Sequence, residues 1–182
     1  DSPMAINASE TFCQNFNAHR LTEHECRAAC NVAHYVRSAE DSINLDKNPM
    51  PMILISASGM ATGGRIIHHL KHFAPDHRNT ILFTGFQAGG TRGAAMVAGA
   101  ESVKIHGAYV PIRAEVQNLD MLSAHADADE IMAWLGNFET APQTTFITHG
   151  EPDAADALRH RIEEEIGWTC VVPDYREERC LG

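Results

Sequence analysis

The first patterned stretch of the chain has the hydrophobic spacing of a helix. Thr22-Glu23-His24-Glu25 has the Ser/Thr-x-x-Glu form of a capping box, and apolar residues recur behind it every three or four positions. This pattern predicts a helix from about Glu23 to Val36. Residues 38–51 are polar and include Asn48-Pro49, so we expect them to form a connection.

From residue 51 onward the chain repeats a strand, a glycine-rich loop and a helix. The first unit has an apolar run at 51–57, a loop at 58–65 and a helical segment at 66–73. The second unit has a strand at 80–84, a loop at 85–93 and a helix at 94–98. Two such units in succession favour a parallel sheet with crossover helices.

The remaining sequence continues the alternation. Residues 103–106 and 109–116 flank Gly107 and predict a hairpin, in which Pro111 suits an edge strand. Asp127 or Asp129 is placed to cap a helix that ends near Leu135. A strand is expected at 144–148, a helix at about 153–166 with Gly167 as its stop, and a strand at 168–172. The whole pattern predicts an α/β fold.

The composition indicates a globular protein and predicts where it is located. The chain has 182 residues, of which 44% are apolar and 21% charged, as in an ordinary globular protein. It contains no apolar run of the roughly 18 residues that cross a bilayer, so we expect no membrane segment and a cytoplasmic location. Its five cysteines are scattered and form no CxxC pair, which predicts reduced thiols, mostly in the core.

The charge is unevenly distributed. The formal net charge of −10 argues against nucleic-acid binding by bulk electrostatics. The stretch from Arg65 to Arg92 is nevertheless basic and rich in histidine, with Asp76 as its single acid. This stretch could face phosphates while the acidic residues 151–178 face solvent.

The two glycine-rich loops are candidate anion sites. A loop that leaves a strand and enters a helix points backbone N–H groups and the positive helix end toward its guest, and glycine lets a phosphate approach closely. The alternative is a tight structural turn. Our candidate substrate-binding residues are Ser58, Gly59, Gly63, Gly64, Arg65, Gly90, Thr91 and Arg92.

Several histidines are candidates for chemistry. His125 and His149 each lie at the end of an element, where α/β folds place functional groups, although a hydrogen-bonding or surface role is the alternative for each. His68, His69 and His72 lie on one predicted helix without the glutamate of an HExxH motif. For these three we expect a solvated or phosphate-facing surface.

Four motifs in order carry a resemblance to a known family. They are Ser58-Gly59-Met60-x-x-Gly63-Gly64-Arg65, Gly85-Phe86-Gln87-x-x-Gly90-Thr91, Ser123-Ala124-His125-Ala126-Asp127 and His149-Gly150-Glu151. Together they resemble the second half of the β-CASP nucleases of the metallo-β-lactamase superfamily. The resemblance implies a three-layer, mostly parallel Rossmann-like β-CASP domain at residues 1–117. Residues 118–182 would then be the C-terminal part of a metallo-β-lactamase αββα domain.

The same resemblance implies roles for two histidines. His125 would contact the scissile phosphate and assist the leaving group, and His149 would be a zinc ligand. DNA-acting relatives usually carry valine at the position of His149, so the resemblance favours RNA as the substrate.

The resemblance also implies a cofactor that this chain is not expected to hold. Family members use two zinc ions bound largely by an HxHxDH motif, which is absent from this sequence. We therefore expect a fragment of a zinc-dependent ribonuclease that is inactive alone, does not retain the zinc pair, and acts with the missing N-terminal metallo-β-lactamase half. A homo-oligomer is also possible.

Two other functional classes stay open on the residues alone. The chain could be a non-catalytic RNA- or phosphate-binding α/β module that uses the glycine loops and the basic stretch. It could also be a small-molecule α/β enzyme or nucleotide-binding domain, for which the glycine loops would suffice.

Overall fold

The computed structural model describes residues 1–119, 121, 123 and 125–180. These form two compact units, Asp1–Ser123 and Ala124–Gly182. Both contain helices and short strands, including parallel pairs, which confirms the predicted α/β class. The domain boundary predicted at residues 117 and 118 stays a prediction, and Leu122 and Ala124 beside and within the third motif lie outside the described residues.

Four of the five α-helices of the first unit begin at a polar cap, and α4 is the exception. The side chains of Ser2, Thr22, Ser38 and Thr91 each accept a hydrogen bond from a first-turn N–H. The capping box predicted at Thr22 and Glu25 is confirmed. The α-helices are α1 (Pro3–Gln14), α2 (Glu23–Asn31), α3 (Ala39–Leu45), α4 (Ile66–Phe73) and α5 (Arg92–Val97), with a short 3₁₀ helix at Phe16–Ala18.

Two boundaries at the start of the chain were predicted wrongly. Helix α2 ends at Asn31 rather than Val36, and the supposed connection that follows contains α3. Helix α3 escapes a hydrophobic-pattern search because Ser42 is its buried residue and the rest of it is largely solvated. Its start is marked instead by Ser38, which caps the N–H of Asp41 at 3.0 Å.

The strands of the first unit form two pairs. β1 (Thr80–Phe83) and β4 (Glu115–Asn118) are parallel, whereas β2 (Ser102–Ile105) and β3 (Ala108–Pro111) form the predicted antiparallel hairpin. The second arm of the hairpin ends at Pro111, not at Val116 as predicted. The N–H groups of Arg113 and Ala114 both donate to the carbonyl of Ala74, which redirects the chain from β3 into β4.

The strand predicted at residues 51–57 is absent. Ile53 is 94% and Ile55 72% exposed, and this segment pairs with no strand among the described residues. Its bonds go to the start of the chain: the carbonyl of Ile55 accepts from the main-chain nitrogen of Asp1 at 2.6 Å, and Ser56 Oγ donates to the carbonyl of Asp1 at 3.0 Å. An apolar run alone does not make a strand, because the backbone also needs a ladder partner.

The core of the first unit lies between α4, α5, β1 and the hairpin. Helix α4 contributes Ile67 and Leu70, and the fully buried Met96 and Ile105 come from α5 and β2. The apolar side chains of both glycine-loop units are therefore packed in one cluster, which fixes where the two loops begin and end.

The second unit has its own small core. It comprises α6 (Ala128–Leu135), α7 (Pro152–Ile166) and the parallel pair β5 (Thr145–Phe146) and β6 (Cys170–Val171). Met132, Leu135, Ile162 and Cys170 form its buried cluster. The predicted cap at Asp127, the first-turn Pro152 and the left-handed stop at Gly167 are all confirmed.

The cysteines depart from the prediction that all five are reduced. The sulfurs of Cys13 and Cys30 are joined, linking α1 to α2, while Cys26 and Cys170 are buried thiols and Cys180 is exposed. Among the described residues, no helix is both long and apolar enough to cross a bilayer.

Candidate functional site

The first glycine-rich loop is folded tightly on itself. The N–H of Ser58 donates to the carbonyl of Gly63 at 3.1 Å, and the N–H of Ile66 donates to that of Ala57 at 3.1 Å. Gly64 has φ of +78°, and a Cβ there would lie 2.5 Å from the carbonyl oxygen of Ala57. No other residue fits this position without moving the backbone, so the loop shape depends on Gly64.

The second glycine-rich loop contacts the first. The N–H of Gly93 donates to the carbonyl of Met60 at 3.0 Å, and Gln87 Nε2 donates to the carbonyl of Gly59 at 3.1 Å. A Cβ on Gly93 would meet Gln87 Oε1 at 1.8 Å, so glycine makes room for this glutamine. The structure thus brings together the two loops that the sequence identifies as candidate anion sites.

Arg92 fastens the two loops rather than facing open solvent. Its Nη1 donates to the carbonyls of Ala61 at 3.0 Å and Thr62 at 3.2 Å, and its Nε donates to the carbonyl of Lys104 at 2.6 Å. Thr91 caps α5, with its Oγ1 accepting from the N–H of Ala94 at 3.1 Å. Gly90, with φ of +79°, is exposed beside it. Phosphate contact by these three residues stays a prediction.

Arg65 points into the protein. Its guanidinium donates to Asp1 Oδ1 at 2.5 Å and to the carbonyls of Val36 at 2.9 Å and Arg37 at 2.5 Å. The side chain is 18% exposed and that of Asp1 is fully buried. Phosphate binding by Arg65 also stays a prediction. Its position nevertheless gives it a structural role, because it ties the glycine loop to the start of the chain and to the segment before α3.

Asp1 also belongs to a buried network that sequence reasoning missed. His69 lies between two carboxylates, with Nε2 2.9 Å from Asp1 Oδ2 and Nδ1 2.5 Å from Asp46 Oδ1. His68 donates to the other oxygen of Asp46 at 2.9 Å and hydrogen-bonds Ser42 Oγ at 2.8 Å. Ser42 in turn donates to Asp1.

The network overturns one expectation about α4. His69 is 2% exposed and His68 28% exposed, so these two rings face the interior instead of forming a solvated or phosphate-facing surface. Burial raises the pKa of Asp46, but the hydrogen bonds from His68 and His69 outweigh it and hold that pKa below its ordinary value.

The donor atoms of Asp1, His68 and His69 lie within 4.8 Å of one another, a grouping that could in principle hold a metal ion. Arg65 already places its positive charge on the Asp1 carboxylate, and a second cation at this distance would be repelled. We therefore assign the network a structural role. No signal in the linear sequence joins these residues, because Asp1 and His69 are 68 positions apart.

The two histidines predicted to carry chemistry lie in the second unit. His125 is exposed and precedes the capped start of α6. His149 is exposed, with φ of +70°, between β5 and the Pro152 that begins α7. A positive φ is uncommon for any residue but glycine and is concentrated at functional turns. The roles proposed for these two histidines stay predictions.

Comparison with known proteins identifies the family. The Beta-Casp domain family matches residues 1–96, and the Zn-dependent metallo-hydrolase RNA specificity domain matches residues 109–173. The chain therefore belongs to the β-CASP branch of the metallo-β-lactamase RNA nucleases.

Individual relatives agree with this assignment. The chain is 42% identical over 123 residues to ribonuclease TTHA0252 of Thermus thermophilus, covering 68% of this chain and 28% of that protein. It is 29% identical over 148 residues to transcription termination factor FttA of Pyrococcus abyssi, covering 79% and 23%. It is 29% identical over 127 residues to Integrator complex subunit 11 of Danio rerio, covering 69% and 21%. The chain thus spans less than a third of the length of these relatives.

Two alanine substitutions in the first glycine loop should differ in their effect on stability, because a Cβ would clash with the backbone at Gly64 but not at Gly59. Gly64→Ala should lower the free energy of unfolding by about 1–3 kcal/mol, because it adds a Cβ at positive φ against a carbonyl. Gly59→Ala should change it by less than about 0.5 kcal/mol, since a Cβ there meets nothing within 4 Å. Urea unfolding of both variants checks this. Equal losses would show that the loop does not depend on Gly64.

The acid stability of the chain should depend on Asp46. Because its pKa is lowered on folding, its ionised form stabilises the protein above the ordinary pKa of 3.8, and that contribution is lost as pH falls through the lower folded pKa. Asp46→Asn should cost about 1–3 kcal/mol near pH 6, and this difference should shrink toward pH 3. Urea unfolding across this range measures it.

Glu40→Gln is the matched control, because Glu40 is an exposed carboxylate of α3, the helix that Asp46 caps at its C-terminal end. Glu40→Gln should change the free energy of unfolding only slightly, and this change should not shrink between pH 6 and pH 3. A penalty for Asp46→Asn that is the same at pH 6 and pH 3 would contradict the proposed charge on Asp46.

Proposed function

We propose that this chain is the RNA-contacting part of a zinc-dependent ribonuclease that hydrolyses phosphodiester bonds in RNA processing or decay. The main support is the match of consecutive parts of the chain to a β-CASP domain and to a metallo-hydrolase RNA specificity domain. The ribonuclease relative at 42% identity supports the same reaction class.

The glycine loops supply the proposed substrate surface. Both loops are held in one arrangement by Arg92, Gln87 and the N–H of Gly93, so an RNA backbone would meet preformed loops rather than mobile ones. At the exposed Gly59 and Gly90 a Cβ would meet nothing within 4 Å, so a phosphate can approach the backbone closely there, and the exposed Gly64 maintains the shape of the same surface. We assign Ser58, Gly63, Arg65, Thr91 and Arg92 to this surface as well, with the two arginines maintaining its shape.

The residues of this chain do not fit a complete catalytic zinc pair. Such a site needs several histidine and carboxylate ligands, the HxHxDH motif is absent, and the Asp1, His68 and His69 grouping does not include His149. In this proposal His149 contributes one ligand, and the N-terminal metallo-β-lactamase half of a longer protein contributes the others. Zinc would supply the activated water in that longer protein.

The proposed division of labour gives His125 and His149 different roles. His125 would hold a proton near the phosphate and deliver it to the leaving oxygen, which is general acid catalysis. His149 would hold metal through a neutral ring nitrogen, aimed by the sharp turn at its positive φ. A cytoplasmic location and a homo-oligomer also belong to the proposal.

A second candidate function is RNA or phosphate binding without cleavage. The absence of HxHxDH from these 182 residues favours it for the chain taken by itself. It differs from the first proposal in what the longer protein does, since a binding module would show no metal-dependent cleavage in any form.

Substitution of the two histidines in the full-length enzyme tests the proposal. His149→Ala should lower both the bound zinc and the cleavage rate. His125→Ala should lower the rate by about 100-fold to 10,000-fold while zinc is largely retained, because its expected partner is the phosphate. Metal analysis combined with single-turnover cleavage of single-stranded RNA measures both quantities.

His160→Ala is the control, since His160 is a half-exposed histidine on α7 of the same unit. It should leave zinc content and rate unchanged. Equal zinc loss in the His125 and His149 variants would refute the division of roles, and full-length protein with no cleavage activity would favour the binding module.

A further inference from the structure

A second group of potential metal ligands lies far along the chain from the glycine loops and the two catalytic candidates. Cys13 is in the last turn of α1, His19 follows the short 3₁₀ helix, and Cys26 and Cys30 lie one turn apart on α2. Their spacing is Cys-x5-His-x6-Cys-x3-Cys. Residues on one helix that are four positions apart share a face, so both α2 cysteines can point at α1.

These four residues are connected by close contacts. Cys26 Sγ lies 3.2 Å from His19 Nε2, and Cys13 Sγ lies 3.5 Å from the carbonyl oxygen of Cys26. The sulfurs of Cys13 and Cys30 are joined to each other. Cys26 is fully buried, and the other three residues are half-buried. Successive contacts thus run from Cys30 to Cys13, from Cys13 to the backbone of Cys26, and from the Cys26 sulfur to His19.

The spacing of the backbone suits a metal bridge. The Cα atoms of Cys13 and Cys30 are 7.4 Å apart, whereas disulfides usually join Cα atoms about 4.4–6.8 Å apart. A metal ion between two thiolates lengthens the link by a second bond of about 2.3 Å, which accommodates a wider separation. Three cysteines and one histidine are also a donor set typical of structural zinc, and three intervening residues between paired cysteines fall within its usual range.

Helices α1 and α2 also bury few apolar residues. Helix α1 buries Ile6 and α2 buries Cys26, and neither of the two core clusters includes a residue from these helices. A pair of short helices with so little apolar contact is the kind of element that structural metals stabilise in small folds.

We propose that, in the thiol form, Cys13, His19, Cys26 and Cys30 bind one Zn²⁺ in a tetrahedral site that fastens α1 to α2. The site is structural, because four protein ligands fill the coordination shell and leave no open position for water or substrate. It is separate from the zinc pair proposed for catalysis. The expectation that the isolated chain does not retain the catalytic zinc pair is unchanged by this site.

Reduction of the Cys13–Cys30 disulfide precedes metal binding at this site. A dithiol reductant transfers two electrons and two protons to the disulfide, giving two thiols and the cyclic disulfide of the reductant. Zn²⁺ then displaces the protons of three thiols into solvent. His19 Nδ1 accepts from the N–H of Leu21 at 3.3 Å, so coordination through Nε2 requires the ring proton to move to Nδ1 and this contact to open.

Zinc stoichiometry of the purified 182-residue chain tests the inference. After reduction with a dithiol, loading with zinc sulfate and dialysis, metal analysis should give about one zinc per chain. Cobalt in place of zinc should produce the intense visible absorption of a tetrahedral thiolate complex. Removing the metal with a chelator should lower the helix signal in circular dichroism and the melting temperature.

Matched variants locate the ion. Cys26→Ser and His19→Ala should each weaken zinc binding by more than the roughly 10–100-fold that loss of an outer-sphere partner costs, measured by competition with a chromophoric chelator. The exposed Cys180→Ser and His24→Ala should bind as the parent chain does. If Cys26→Ser fails to fold, the dependence of zinc binding on the proposed ligands is tested by His19→Ala and Cys30→Ser.

Three outcomes would overturn the inference. The first is a reduced chain without zinc whose melting temperature is unchanged by a chelator. The second is zinc that survives both His19→Ala and Cys30→Ser, which would place it elsewhere. The third is a Cys13–Cys30 disulfide that persists in excess dithiol with no metal bound.

Discussion

The buried ion pair between Asp1 and Arg65 is the contact on which the arrangement of the first unit depends. Arg65 ends the first glycine loop, and its guanidinium reaches Asp1 Oδ1 at 2.5 Å while also bonding two carbonyls before α3. A buried charge left without its partner typically costs about 3–5 kcal/mol, so neither residue is replaceable alone. The pair therefore links three segments that are far apart in sequence and sets where the loop can lie.

Further hydrogen bonds around that pair connect the two glycine loops to each other and α4 to Asp46. His68 and His69 extend the network from Asp1 to Asp46, while Arg92 and Gln87 join the second loop to the first. The guanidinium groups that first suggest phosphate binding are thus used largely within the protein.

Features set by local chemistry could be predicted from the sequence. The capping boxes at Thr22 and Asp127, the helix of residues 66–73, the hairpin turn at Gly107 and the stop at Gly167 each depend on a few neighbouring residues. Helix α3 and the unpaired segment 51–57 could not be predicted, since one buries a serine and the other lacks a ladder partner. The same distinction applies to the site: Gly64 and His149 occupy local turns, whereas Asp1, Ser42 and Asp46 meet α4 only through the fold. The spacing of Cys13, His19, Cys26 and Cys30 within 18 residues is the sequence feature that corresponds to the proposed zinc site, and a search for CxxC pairs does not detect it.

We infer above all that this chain carries groups that contact RNA but cannot cleave it without the rest of a longer protein. The most direct measurement is a nuclease assay on single-stranded RNA with the purified 182-residue chain beside the full-length enzyme, each in added zinc or manganese. We expect metal-dependent cleavage by the full-length enzyme and none above background by the chain, with any zinc in the chain unaffected by His149→Ala. Metal-dependent cleavage by the isolated chain that His149→Ala abolishes would contradict this inference.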